Sequence, residues 1–369
     1  MKIEGDDLRV VDRGQFVYLG PMGVAEYSLP EEDQELFAAT LEGVGEARLS
    51  SLGAALVSWR EHREPDRVVN VALADDPEEG FEPHVDPIGP SVLLLVGDRL
   101  LIQTWADLKV PSARAATHRL LSPLLRRHRA SCVEVGLEQH GTLAIEWPTR
   151  GRTVADAWEF HRELTTLLSA ARGGELSPTT ALDLLRAGRG DLLRGQPESA
   201  WLEVKAEPYD LKDPTVKFEL AKDVAAMANS RRGGIVVIGM STEKKGRRQG
   251  EVDLIGDYSK TSLKSLKRQQ YRSLVAKWVY PSLVGFEIER MEGSTAGEEV
   301  AVLVIPAQPE AKRPFLVQGT VDDGNVLGSH VLLPWRREDE TDAMDVVAIH
   351  DRIRLGERAI AGGEVPPLG

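Results

Sequence analysis

The sequence predicts a mixed α/β (α+β) protein built as two modules. Short apolar runs of strand length alternate with longer segments of helical periodicity in both halves. The chain has 369 residues, and domains of roughly 150 residues make that two. A glycine-rich break, Ala171-Arg172-Gly173-Gly174-Glu175, lies between the two halves. Hydrophobic residues are 42% and charged residues 28%, an ordinary globular composition with material for a core.

In the first half, strands are expected at 16–19, 68–73, 91–96, 100–105, 132–137 and 142–147. Pro30-Glu31-Glu32 reads as a helix start, because early acids suit the positive end of the helix dipole. A second helix is expected over 112–129, with Leu120, Leu121, Leu124 and Leu125 at helical spacing and a basic end. A third is expected over 153–172. The acidic, proline-rich stretch 75–90 reads as an exposed loop. Ser177-Pro178 is an N-cap followed by proline in the first turn, and Gly195-Gln196-Pro197 ends that connecting helix.

In the second half, 200–206 reads as a strand. A helix over 216–229 follows, with Phe218, Ala221, Val224, Ala225 and Ala228 on one face. Gly233-Gly234 is a helix stop and tight turn, or else a place where backbone approaches a phosphate. Residues 235–240 form an apolar strand, 262–279 a helix, 298–305 a strand and 331–335 a last strand before a charged tail. The expected domains are a mixed α/β module over 1–173, a linker over 174–197, a second α/β domain over 198–345 and a tail over 346–369.

The formal net charge is −13, which taken alone argues against a coat for nucleic acid. The distribution reverses that argument. Residues 198–290 hold 17 Lys/Arg against 13 Asp/Glu, and 231–277 hold 12 against 4. A polyanion meets this local field rather than the average. Arg231, Arg232, Lys244, Lys245, Arg247 and Arg248 precede Lys260, Lys264, Lys267, Arg268 and Arg272. Positions 260, 264, 267 and 268 recur at the spacing of one helix face. The alternative is a solvated face beside a mobile loop.

Several chemistries lack support. The single cysteine, Cys132, excludes an intramolecular disulfide and any cysteine-based zinc site. In an apolar strand it reads as a small buried residue. The eight histidines show no metal-ligand spacing, and neither a P-loop nor a G-x-S-x-G elbow is present. No apolar run reaches the roughly 18 residues of a membrane span. The expected location is cytoplasmic.

The most informative residues are Glu198, Glu203 and Lys205. Side chains alternate along a strand, so Glu203 and Lys205 share a face, and Glu198 can turn onto it. Two carboxylates beside a lysine suit a divalent cation. The alternative is a Glu–Lys pair on a surface strand.

The order E-x(4)-E-x-K, then A-x-A-N-S-x-x-G-G at 226–234, then an apolar strand ending in Ile238-Gly239 resembles the Schlafen AlbA-2 domain. Leu254-Ile255-Gly256, the strand ending at Pro306, Arg313-Pro314-Phe315 and the closing 331–337 segment continue the resemblance over about 190–345. Residues 1–173 resemble nothing we can name. The resemblance implies an RNA-binding, metal-dependent endoribonuclease acting on structured RNA such as tRNA. Glu198 and Glu203 would hold Mg²⁺ or Mn²⁺, and Lys205 would face the scissile phosphate. The family's third acid is expected near Ser241 or Thr242. The nearest carboxylate here is Glu243, displaced along the chain. That displacement keeps an alternative open: a non-catalytic nucleic-acid-binding or assembly module of a regulatory or defence complex. In that case the N-terminal half contacts a protein partner, or a homodimer supplies a second lobe.

Overall fold

A computed structural model describes residues 2–4, 7–12, 15–21, 34–41, 45–61, 68–74, 91–106, 111–133, 141–171, 174–243, 252–322, 325–337, 340–344 and 349. The chain divides into two compact units, Met1–Leu176 and Ser177–Gly369.

The first unit is built on a nine-stranded sheet. Its strands are β1 (Lys2–Glu4), β2 (Asp7–Asp12), β3 (Gln15–Pro21), β4 (Gln34–Thr40), β5 (Val68–Ala74), β6 (Ser91–Val96), β7 (Arg99–Trp105), β8 (Ser131–Val133) and β9 (Thr142–Glu146). They run in sequence order except that β9 lies between β7 and β8. Only β4–β5 is parallel. Its helices are α1 (Leu49–Glu61), α2 (Pro111–His128) and α3 (Val154–Ala170). Thr153 starts α3 through a reciprocal capping box: its hydroxyl accepts from Asp156 N–H at 3.2 Å, and the Asp156 carboxylate accepts from Thr153 N–H at 2.9 Å. Leu52 and Leu56 of α1, Phe160 and Leu164 of α3, and Val71, Leu93 and Leu95 of the sheet are fully buried.

The helix expected from Pro30 is corrected: from Gln34 the chain forms β4, pairing with β5 over seven residues. Tertiary pairing overrides the local helix signal. Burial pushes the Cys132 thiol up to about 11, which agrees with an unreactive residue. The acidic stretch 75–90 lies outside the described residues.

The second unit contains α4 (Pro178–Arg186), β10 (Leu202–Lys205), α5 (Pro214–Asn229), β11 (Gly234–Ile238), β12 (Met240–Glu243), β13 (Leu254–Tyr258), α6 (Arg268–Trp278), β14 (Val279–Tyr280), β15 (Glu287–Glu292), β16 (Glu299–Ile305), β17 (Leu316–Asp322), β18 (Asn325–Leu332), β19 (Pro334–Arg337) and β20 (Glu340–Ala343). Its central sheet has the order β10-β11-β16-β15. β10 and β11 are parallel, with Glu203 opposite Val236 and Lys205 opposite Ile238.

The fold of this unit follows from α5. The predicted face of Phe218, Ala221, Val224, Ala225 and Ala228 is buried against Val236 and Ile238 of β11 and Ala301, Leu303 and Ile305 of β16. Asp213 caps its start by accepting from Thr215 N–H at 2.8 Å. At its end, Asn229 donates to the carbonyls of Phe315 (2.9 Å) and Pro334 (3.0 Å) and accepts from Phe315 N–H (2.6 Å). One buried amide thus joins the Asn-Ser step to the Arg-Pro-Phe step and to β19. The Gly233-Gly234 pair is structural. Gly233 has φ +70°, and a Cβ there would lie 2.2 Å from the Ile305 carbonyl oxygen.

Three other expectations are corrected. The connecting helix ends at Arg186, and a 3-10 turn, Gly190–Leu193, follows. The strand expected over 331–335 is the end of β18 and the start of β19. The helix expected over 262–279 is two pieces. A 3-10 turn at Leu263–Ser265 is capped by Ser262, and α6 starts only at Arg268. Leu263, Leu266 and Tyr271 all enter the core, and the five-residue step from 266 to 271 breaks the helical periodicity. Lys260, Lys264 and Lys267 therefore do not share a helix face with Arg268.

Candidate functional site

The candidate site forms where edge strand β10 meets α5 and β19. Register puts Glu203 and Lys205 on the face that carries Val236 and Ile238, beneath α5. Glu203 is only 7% exposed. One of its oxygens meets Lys205 Nζ at 2.5 Å, and the other accepts from the Arg336 guanidinium. Arg336, itself 6% exposed, also donates to the carbonyls of Ser199 (2.9 Å) and Leu202 (3.3 Å). A buried carboxylate between two cations is the arrangement that offsets its desolvation.

Glu198 lies just before β10 and turns inward. Its Oε1 accepts from Val204 N–H at 2.7 Å. Burial, together with the neighbouring Glu203 carboxylate, pushes its carboxyl up to about 7. The Val204 N–H, Arg336 and Lys205 act in the opposite sense.

Asp223, on the buried side of α5, is the third carboxylate of the cluster. It accepts from the Tyr209 hydroxyl at 2.8 Å. Burial and then Glu203 push it up to about 6. Burial works to lower the Lys205 ammonium, but the Glu203, Asp223 and Glu198 carboxylates together more than offset that, and its pKa is raised. The sequence signal for Asp223 was an acid inside an otherwise apolar helical face, between Ala221 and Val224. Arg336 is the arginine of the closing segment.

The structure thus brings Glu198, Glu203 and Lys205 together, with both carboxylates buried and Lys205 partly exposed. Glu243 is exposed at the end of β12, opposite Leu254. Among the described residues no group of three or more His, Cys, Asp or Glu is placed to hold a metal ion. The donor set explains this: both Glu203 oxygens are held by cations, and Glu198 is turned to a backbone N–H. The residues as arranged do not fit Mg²⁺ or Mn²⁺.

The basic residues among the described ones are exposed. Lys260, Lys264, Lys267, Arg268 and Arg272 all face solvent. None has a carboxylate partner among the described residues, and 260–272 contains no acid at all. Arg231 and Arg232 are exposed between α5 and β11. Lys244, Lys245, Arg247 and Arg248 lie outside the described residues, between the paired strands β12 and β13.

Residues 198–345 match the family described as Schlafen, AlbA_2. The resemblance read from the motifs is shown for that segment. The Glu198–Glu203–Lys205 cluster, the Asn229 clamp and Arg336 all fall within this Schlafen AlbA_2 segment. No curated protein matches the chain. Among solved structures, the chain is similar to the DIP2311 protein of Corynebacterium diphtheriae, at 20% identity and a TM-score of 0.28, over 46% of this chain and 26% of that one. It is also similar to the N-terminal domain of a RecG-related protein of Nitrosomonas europaea, at 18% identity and a TM-score of 0.25, over 47% of this chain and 95% of that one. The chain thus spans about a quarter of the Corynebacterium protein's length. No helix among the described residues is long and apolar enough to cross a membrane.

Proposed function

We propose that residues 198–345 are a nucleic-acid-binding domain that holds a phosphodiester backbone on the exposed cations of 260–272. One observation carries this reading: five exposed cations without a carboxylate partner among the described residues, and no carboxylate in their segment, in a chain whose net charge is −13. In an acidic protein, a local patch of this kind concentrates field where a polyanion is met. The Schlafen AlbA_2 match of the same segment supports it. Charge reversal at Lys264, Lys267 and Arg268 together should weaken binding of a labelled RNA at least tenfold while the melting temperature holds. Unchanged affinity would remove the proposal.

A second reading is metal-dependent cleavage of structured RNA such as tRNA. The burial of Glu198, Glu203 and Asp223, with Glu203 acting on each of the other two, favours it. It requires Glu203 to exchange Lys205 and Arg336 for a metal. A panel of tRNA, rRNA and single-stranded DNA with Mg²⁺ or Mn²⁺ tests it: product that disappears in Glu198→Gln supports cleavage, and intact substrates end it.

A further inference from the structure

Beside the basic segment the second unit has a cleft of about 750 Å³, between residues 208–212, the start of α5, and α6. That volume is within the roughly 300–1,000 Å³ of sites for small organic groups. Three lysines line it, Lys212, Lys217 and Lys277, against one acid, Asp210. None of the three has a carboxylate partner among the described residues. Asp210 is turned to its own loop and accepts from Lys212 N–H at 3.0 Å. Between the lysines lie the amides of Gln269 and Gln270 and the half-buried indole of Trp278. Gln269 and Gln270 follow directly on Lys267 and Arg268, so cleft and basic segment are continuous along α6.

We infer that this cleft accepts a single unstacked base of a nucleic-acid strand, whose neighbouring phosphates lie on the lysines and on the 260–272 cations. The inference rests on the nucleic-acid reading above and adds a preference to it. An indole offers a face on which any base stacks, and stacking is worth about 1–3 kcal/mol per base. The two amides offer donors and acceptors to a base edge. A base paired inside a duplex presents neither a free face nor a free edge of this kind. The protein should therefore prefer single-stranded or looped segments, where bases can be splayed out.

The test is fluorescence anisotropy with a labelled single-stranded oligonucleotide, the blunt duplex of the same sequence, a strand with an abasic site, and a free mononucleotide as competitor. Wild type should bind the single strand at least tenfold more tightly than the duplex, with the abasic strand weaker by about fivefold or more. The mononucleotide should compete only weakly, since it lacks the flanking phosphates. Ser273→Trp, at an exposed cleft-lining position, should fill the cleft and bring the single-strand-to-duplex ratio near one. Gln270→Ala, also exposed, should lower the ratio partway, and an unchanged melting temperature shows that both variants fold. Equal binding of strand and duplex by wild type, or a ratio unmoved by Ser273→Trp, overturns the cleft assignment and leaves nucleic-acid binding standing. Tight competition by the mononucleotide overturns the strand as ligand. Binding of neither polymer at low salt overturns both proposals.

Discussion

Replacing Glu198 by glutamine should make the protein more stable at neutral and alkaline pH. The carboxyl is 7% exposed, sits near the Glu203 carboxylate, and is pushed from 4.5 up to about 7. A folded-state pKa above the unfolded value means that the native state binds the extra proton. Stability then falls as pH rises from about 4.5 to about 7 and is level beyond. A shift of this size corresponds to roughly 3 kcal/mol of charge penalty at pH 8. Glutamine keeps an oxygen to accept from Val204 N–H, where the acid accepts at 2.7 Å, and removes the charge. Urea unfolding at pH 8 should show Glu198→Gln stabilised by about 1–3 kcal/mol, allowing for lost attraction to Arg336 and Lys205. At pH 4.5 the difference should nearly vanish. Destabilisation at pH 8, or a gain equal at both pH values, would refute the account of the cluster.

Other predictions follow from the same contacts. Arg336→Met leaves Glu203 buried with Lys205 alone and should cost about 3–5 kcal/mol by urea unfolding; a loss below 1 kcal/mol would mean that the guanidinium is not the main counter-charge. Gly233→Ala puts a Cβ against the Ile305 carbonyl at positive φ and should cost at least about 2 kcal/mol, read as a lowered melting temperature. Asn229→Ala removes three buried hydrogen bonds and should cost about 2–4 kcal/mol. It should also speed amide exchange at Phe315, whose N–H it holds.

Much of this fold was legible because its elements carry local signals. The Thr153 and Ser177 caps, the apolar face of α5 and the alternation that puts Glu203 beside Lys205 are all short-range patterns. The errors arose where distant contacts decide. β4 is a strand because β5 pairs with it, despite the acids after Pro30. The 262–279 segment breaks because Leu266 and Tyr271, five residues apart, are both pulled into the core, a demand that charge spacing does not show. Asp223 escaped attention because an acid on a buried helix face has no meaning until Glu203 and Tyr209 are placed beside it. Arg336 lies 133 residues beyond Glu203, and only the folded chain joins them.

The most direct test of the nucleic-acid reading is the slope of binding affinity against salt. For wild type and a single-stranded RNA, log K against log[salt] should fall by about 0.7 for each phosphate neutralised, giving a slope of roughly −3.5 if the five 260–272 cations engage. Charge reversal at Lys264, Lys267 and Arg268 should flatten that slope by about two. A slope near zero in wild type, or one that the three reversals leave in place, would contradict the account.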